Sequence, residues 1–172
     1  MAANLQNIFD IPEERDVSFP PAHTAEHLLN QLMMRMFGCE RSRNAHVERK
    51  KSKISYVLDH KPDRKEEREI ERQMNELIEQ DLPVTFEFMT RSELVRMVME
   101  AEPDSPESRL SLDRLPEDAS ETIRLVRIGD YDVCPCIGKH VRSTSQIGRF
   151  EMLGTNWDEH QKSFRIRYKV VQ

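Results

Sequence analysis

Near the end of the chain Phe164, Ile166, Tyr168 and Val170 alternate with Arg165, Arg167 and Lys169. A period of two sends successive side chains to opposite faces, so this stretch can only be a strand with one apolar face on a core and one charged face in water. The remaining segments must supply that core. Ile147–Leu153 and Ile123–Ile128 read as further strands, the latter closed by a Gly129-Asp130 turn. Upstream, Leu28, Leu29, Leu32, Met33 and Met36 recur at helical spacing, which predicts a helix over His23–Phe37 ended by Gly38. Ile54, Tyr56 and Leu58 predict a strand. Pro62 opens a charged helix to about Asp81, whose narrow apolar side is Ile70, Met74, Leu77 and Ile78. Val84, Phe86 and Phe88 predict a short strand, and Thr90 with Glu93 has the spacing of a capping box that starts a helix stopped by Pro103.

Helices gathered in the first half and strands in the second predict an α+β fold, a largely antiparallel sheet packed with helices. At 172 residues the expectation is an irregular N-terminal segment (1–21) and a single domain (22–172), with a flexible loop at 103–121 where Pro, Ser, Asp and Glu concentrate. No apolar run approaches the roughly 20 residues of a membrane span, and residues 1–20 have no basic-then-apolar pattern, so no membrane partner is expected. Three cysteines without framework spacing suit a reducing compartment, and the expected location is cytoplasmic. The net charge of −5 is unevenly spread: +1 over residues 1–53, −10 over 54–122 and +4 over 123–172. Phosphate responds to local potential, so the balance leaves nucleic acid open as a partner.

His23 and His27 lie four residues apart, which on a helix projects both imidazoles from one face. Cys136 and His140 repeat that spacing downstream. Three imidazoles and one thiolate form a donor set matched to Zn2+. A zinc-protease helix would need Glu directly after the first His, where this chain has Thr24, and a zinc finger would need two residues between its cysteines, where Cys134-Pro135-Cys136 has one. Cys134 is the second choice of thiolate, and Cys39 reads as a plain free cysteine. His46, His60 and His160 lack partners at metal spacing.

The stretch His23-Thr24-Ala25-Glu26-His27-Leu28-Leu29 resembles the first motif of the alanyl- and threonyl-tRNA synthetase editing domains. The second motif is resembled by Val126-Arg127-Ile128-Gly129-Asp130-Tyr131-Asp132-Val133, followed by Pro135-Cys136, Gly138-Lys139-His140-Val141 and Ser143-Thr144-Ser145-Gln146-Ile147-Gly148. The resemblance spans residues 23 to about 171, and implies a free-standing alanyl-tRNA editing domain that hydrolyses the ester joining a wrong amino acid to the 3′ end of a mischarged tRNA. The substrate implied is Ser- or Gly-tRNA(Ala). The chain is too short to add an aminoacylation domain, so such action is expected in trans. His23, His27, Cys136 and His140 match the family's zinc positions.

Two residues depart from the family's Cys-Gly-Gly-Thr-His pattern, Ile137 and Lys139, and with them comes a second reading: an inactive zinc-containing module that binds tRNA or protein. A hydrolase for another small ester or modified nucleotide is a third. Thr24 and Glu26 flank the metal face and are candidates to orient water or the substrate amino group. Asp130 and Asp132 are candidate partners of a ligand histidine. Arg41, Arg43, Arg49, Lys50, Lys51 and Lys53 form a basic connector expected to meet the tRNA backbone, with Lys139, Arg142 and Arg149 nearer the site.

Overall fold

A computed structural model describes residues 19–115 and 122–172. Helix α1 (Pro20–Phe37) is followed by β1 (Asn44–His46), β2 (Ser52–Val57), α2 (Arg64–Glu79), β3 (Val84–Met89), α3 (Arg91–Met99), β4 (Ile123–Ile128), β5 (Asp132–Pro135), β6 (Arg149–Asp158) and β7 (Ser163–Val171). Every strand pair is antiparallel. One sheet has the order β1-β2-β7-β6 and the other β3-β4-β5. The α+β architecture read from the sequence is therefore observed, with the strands divided between two sheets.

Helix α1 is the centre of the main core. Thirteen of its 18 residues are buried, the pattern of a helix enclosed on nearly all sides. It packs against α2 and β7, and its first turn is tied to β7 where the Tyr168 hydroxyl donates to the Ala22 carbonyl at 3.1 Å. Deeper along the helix, Asn30 Oδ1 accepts from the Tyr56 hydroxyl at 3.0 Å. The core also contains Ile54, Ile70, Met74, Phe150, Phe164 and Ile166. Helix α2 carries a complete capping box, Asp63 with Glu66, and buries only Ile70, Met74, Leu77 and Ile78, the narrow stripe expected.

The smaller sheet lies between two cores. Along β4 the side chains alternate, so Val126 and Ile128 join the main core while Ile123 and Leu125 face a second one with Leu94, Leu115 and Val133. Helix α3 starts at the expected Thr90–Glu93 capping box.

Several local readings are corrected. Pro20 and Pro21, assigned to the irregular segment 1–21, form the first turn of α1, where proline loses no hydrogen bond and its fixed φ suits the helix; residues 1–18 lie outside the described residues. The basic connector contains strand β1 and the first residues of β2, which charge had obscured. Ile147 belongs to a 3-10 turn (Thr144–Ile147), and β6 begins after it. Within the expected flexible loop, residues 103–115 carry two 3-10 turns and bury Leu115 in the second core, while 116–121 lie outside the described residues.

Candidate metal centre

Histidines four apart need a helix that keeps both imidazoles on one face, and α1 does so close to its N-terminal end. His23 and His27 are only 5% and 4% exposed, on the side facing the loop that follows β5. That loop is held at both ends. At its start the Cys136 amide donates to the Arg124 carbonyl, extending the β4–β5 ladder. At its end the buried Thr144 accepts from the Leu82 amide, and its hydroxyl faces the Leu77 and Ile78 carbonyls in the last turn of α2. Between these anchors the loop returns Cys136 and His140 to α1.

One ligand atom from each of His23, His27, Cys136 and His140 lies within 4.8 Å of all the others. Cys136 Sγ is 3.5 Å from His23 Nε2 and 3.6 Å from His140 Nε2. The far ring nitrogens of His23 and His140 are also engaged. His23 Nδ1 donates to the Lys139 carbonyl at 3.0 Å, which leaves Nε2 as the bare nitrogen facing the cluster. His140 Nδ1 meets Thr24 Oγ1 at 2.9 Å, and the same oxygen accepts from the Val141 amide at 3.2 Å. His27 Nδ1 points at Asp132 Oδ2, 3.7 Å away. Neither of those two buried atoms has a hydrogen-bond partner.

The electrostatics suit a cation. Burial lowers the pKa of all three histidines, that of His140 to about 2, with neighbouring imidazoles adding to the effect on His27 and His140. All three are therefore neutral near pH 7, the form that binds metal. Burial pushes the Cys136 thiol up, opposed by the Gly138 amide and Arg124. Gly138 cannot be larger in this backbone: a Cβ there would stand 2.4 Å from His23 Cε1. The cluster can hold a metal ion.

A second layer surrounds it. Asp132 is fully buried and accepts from Gln31 at 3.0 Å and from Arg41. Arg41 remains charged, raised above its ordinary value by Asp132 despite its burial. Arg124 donates to the carbonyls of Cys136, at 2.6 Å, and Gly138, bracing the ligand loop. Sequence reasoning missed Arg124 and Gln31. The signal available for Arg124 was one of two cations, with Arg127, interrupting the apolar run Ile123–Ile128.

The other expected residues are dispersed. Thr24 is fully buried, with its oxygen shared between His140 and Val141. Glu26 places Oε2 3.9 Å from His23 Nε2, with a side chain 19% exposed. Asp130 is exposed in its turn, and Cys134 lies outside the cluster with its thiol pushed up to about 12 by burial. Arg41 is turned inward onto Asp132 and does not offer its charge to a phosphate surface, a correction to the basic-connector reading that follows from its buried partner. Arg49 is exposed and stacks 4.3 Å above the Phe19 ring. Arg43, Lys50, Lys51, Lys53, Lys139, Arg142 and Arg149 are exposed. No helix among the described residues is long and apolar enough to cross a membrane.

Residues 123–166 match the family model described as the threonyl and alanyl tRNA synthetase second additional domain. The chain is 30% identical over 131 residues to the alanyl-tRNA editing protein AlaX-L of Pyrococcus horikoshii, covering 76% of this chain and 29% of that protein. It is 31% identical over 145 residues to the alanine–tRNA ligase of Methylacidiphilum infernorum (84% of this chain, 14% of the ligase). With the alanine–tRNA ligase of Treponema denticola it shares 27% identity over 129 residues (74% and 20%). The chain thus spans less than a third of the length of these curated relatives. The family match covers β4, β5, the ligand loop and β6, the relatives extend the similarity over most of the chain, and through residues 123–166 the chain carries a match to the threonyl and alanyl tRNA synthetase second additional domain.

Proposed function

We propose that this protein is a zinc-dependent aminoacyl-tRNA deacylase that hydrolyses the ester of mischarged tRNA, with seryl or glycyl esters on tRNA(Ala) as substrates. One observation carries the metal assignment. Bonds of about 2.3 Å to sulfur and 2.0–2.1 Å to nitrogen around a tetrahedral zinc separate S and N ligand atoms by about 3.5 Å. The two Cys136–histidine separations are 3.5 and 3.6 Å. The donor set of one thiolate and three imidazoles suits the same ion. The editing relatives supply the substrate class.

His23, His27, Cys136 and His140 would hold the ion, which when bound supplies Lewis acidity toward a carbonyl or binds the substrate's amino group. The Lys139 carbonyl, which can only accept, keeps His23 in the tautomer that faces the cluster, and Thr24 orients the His140 ring. Thr24 is thereby a positioning residue, since its burial keeps it from water and substrate. Glu26 is the carboxylate best placed to accept a proton from attacking water, at the partly open side of His23. Arg43, Arg49, Lys50, Lys51 and Lys53 would meet the tRNA backbone with Lys139 and Arg142.

The experiment is hydrolysis of Ser-tRNA(Ala), Gly-tRNA(Ala) and Ser-tRNA(Thr) by the purified protein, beside a His23→Ala/His27→Ala control with metal content recorded. Hydrolysis of one ester, lost in the control together with zinc, is the expected result. A four-ligand site is closed, as structural zinc sites are, and this favours one alternative: a tRNA- or protein-binding module without activity. In that case the parent chain leaves every ester intact, and Ile137→Gly with Lys139→Thr restores hydrolysis.

A further inference from the structure

β3 is an edge strand of the smaller sheet, and two of its side chains, Phe86 and Phe88, are 46% and 58% exposed. No other phenylalanine, tyrosine or tryptophan among the described residues is as open to water. Apolar rings on a sheet edge invite association with other molecules, so their placement calls for an occupant.

Their position relative to the metal cluster identifies it. Phe88 stands opposite Arg124 in the β3–β4 register, and Arg124 stands opposite Cys136 in the next row. All three side chains share one face of the sheet. One row therefore crosses from an exposed ring, through a cation, to a cluster thiol, over two strand spacings or about 10 Å. Phe86 is the neighbouring ring on that face, and the Arg124 guanidinium lies 4.5 Å from its centroid while bonding the Cys136 and Gly138 carbonyls. Exposed Lys139 and Arg142 add positive charge in the same ligand loop. Aromatic rings beside fixed cations form the pattern that binds single-stranded nucleic acid, where bases stack and phosphates meet the charges. In an esterified 3′ nucleoside only the ribose separates the ester from the base, which matches a cluster and a ring pair two strands apart.

We infer that Phe86 and Phe88 are the stacking platform for the terminal base of the RNA 3′ end, with Arg124 joining that platform to the His23, His27, Cys136 and His140 cluster. This rests on the deacylase reading and adds to it the residues that bind the terminal nucleoside.

The test uses an uncharged RNA stem-loop ending in single-stranded CCA, with 2-aminopurine as the last base and a dye at the 5′ end. Anisotropy reports binding and 2-aminopurine emission reports stacking. The parent protein is expected to bind and quench the terminal base. Phe86→Ala/Phe88→Ala should abolish the quench and weaken binding by about 5- to 150-fold per stacked base, and Phe88→Trp should retain both signals. If the double variant binds and quenches like the parent, the platform is refuted while the deacylase reading stands. If the parent chain does not bind the stem-loop and hydrolyses no charged tRNA, both readings fall together. A parent chain that self-associates through this face, with the double variant monomeric and unaltered toward RNA, also refutes the platform.

Discussion

Gly138→Ala tests the steric logic of the ligand loop with a single methyl group. The Cβ would lie 2.4 Å from His23 Cε1 and 2.9 Å from its Nδ1, against 3.4 Å for ordinary contact. The imidazole must retreat by about 1 Å, at an overpacking cost of about 1–3 kcal/mol. The retreat stretches two interactions at once: the 3.0 Å bond from His23 Nδ1 to Lys139, and the 3.5 Å approach of Nε2 to Cys136 Sγ. Losing the support that orients a ligand histidine weakens metal affinity by about 10- to 100-fold. Zinc affinity is read by competition with a chromophoric chelator, and stability by urea unfolding of the metal-free protein. Gly38→Ala is the control. Gly38 caps α1 at φ +65° with nothing within 4 Å of its Cβ position, so the substitution should cost about 1 kcal/mol of stability and leave zinc affinity unchanged. An unchanged zinc affinity in Gly138→Ala would refute the proposed closeness of loop and helix.

Four further outcomes follow from the same geometry. Thr24→Val preserves volume but strips His140 Nδ1 and the Val141 amide of their shared oxygen, and should lower stability by about 1–3 kcal/mol and zinc affinity by about tenfold or more; retention of both would remove Thr24 from the site. Asp132→Asn leaves the buried Arg41 without its counter-ion and should cost about 3–5 kcal/mol in urea unfolding, whereas an unchanged midpoint would mean that Arg41 finds water. Because burial lowers the pKa of His23, His27 and His140, the unfolded chain binds more protons below pH 6.5. The metal-free protein should then lose stability as the pH falls from 6.5 to 5, with His140 alone contributing up to about 1.4 kcal/mol per pH unit, and a flat profile there would contradict the burial of the cluster. Neutralising Arg49, Lys50 and Lys51 should weaken tRNA binding and flatten its salt dependence, while an unaltered salt slope would exclude that patch.

Element types were largely legible because they rest on local periodicity. The alternation at Phe164–Val170 became β7, the narrow stripe Ile70, Met74, Leu77 and Ile78 became the buried side of α2, and Thr90 with Glu93 formed the capping box of α3. Short or charged pieces were not legible. β1 has three residues and β5 has four, too few for a period to stand out, and each exists because a longer neighbour supplies its hydrogen bonds. Pro20 and Pro21 were misread because proline breaks a helix interior yet suits its first turn, and the difference depends on where the helix begins.

The candidate site divides in the same way. Spacing nominated His23, His27, Cys136 and His140, with Cys134 as the second choice of thiolate; one helical turn of α1 explains the first pair, whereas Cys136 and His140 lie on a loop. What surrounds them depended on tertiary packing. Arg41 and Arg43 look equivalent in the sequence, but Arg41 folds inward onto Asp132 and Arg43 stays at the surface, a choice made by a carboxylate 91 residues away. Thr24 and Glu26 likewise flank His23 as equals in the sequence, and only the approach of His140 and Val141 buries one hydroxyl while the carboxylate keeps access to water. Arg124 and the exposed Phe86–Phe88 pair gain their meaning from strand register, which aligns residues distant in the chain into one row. Periodicity and donor chemistry are properties of short stretches and can be read from them directly. Burial, tautomer and register arise from groups far apart in sequence, and for this chain the folded arrangement alone decided them.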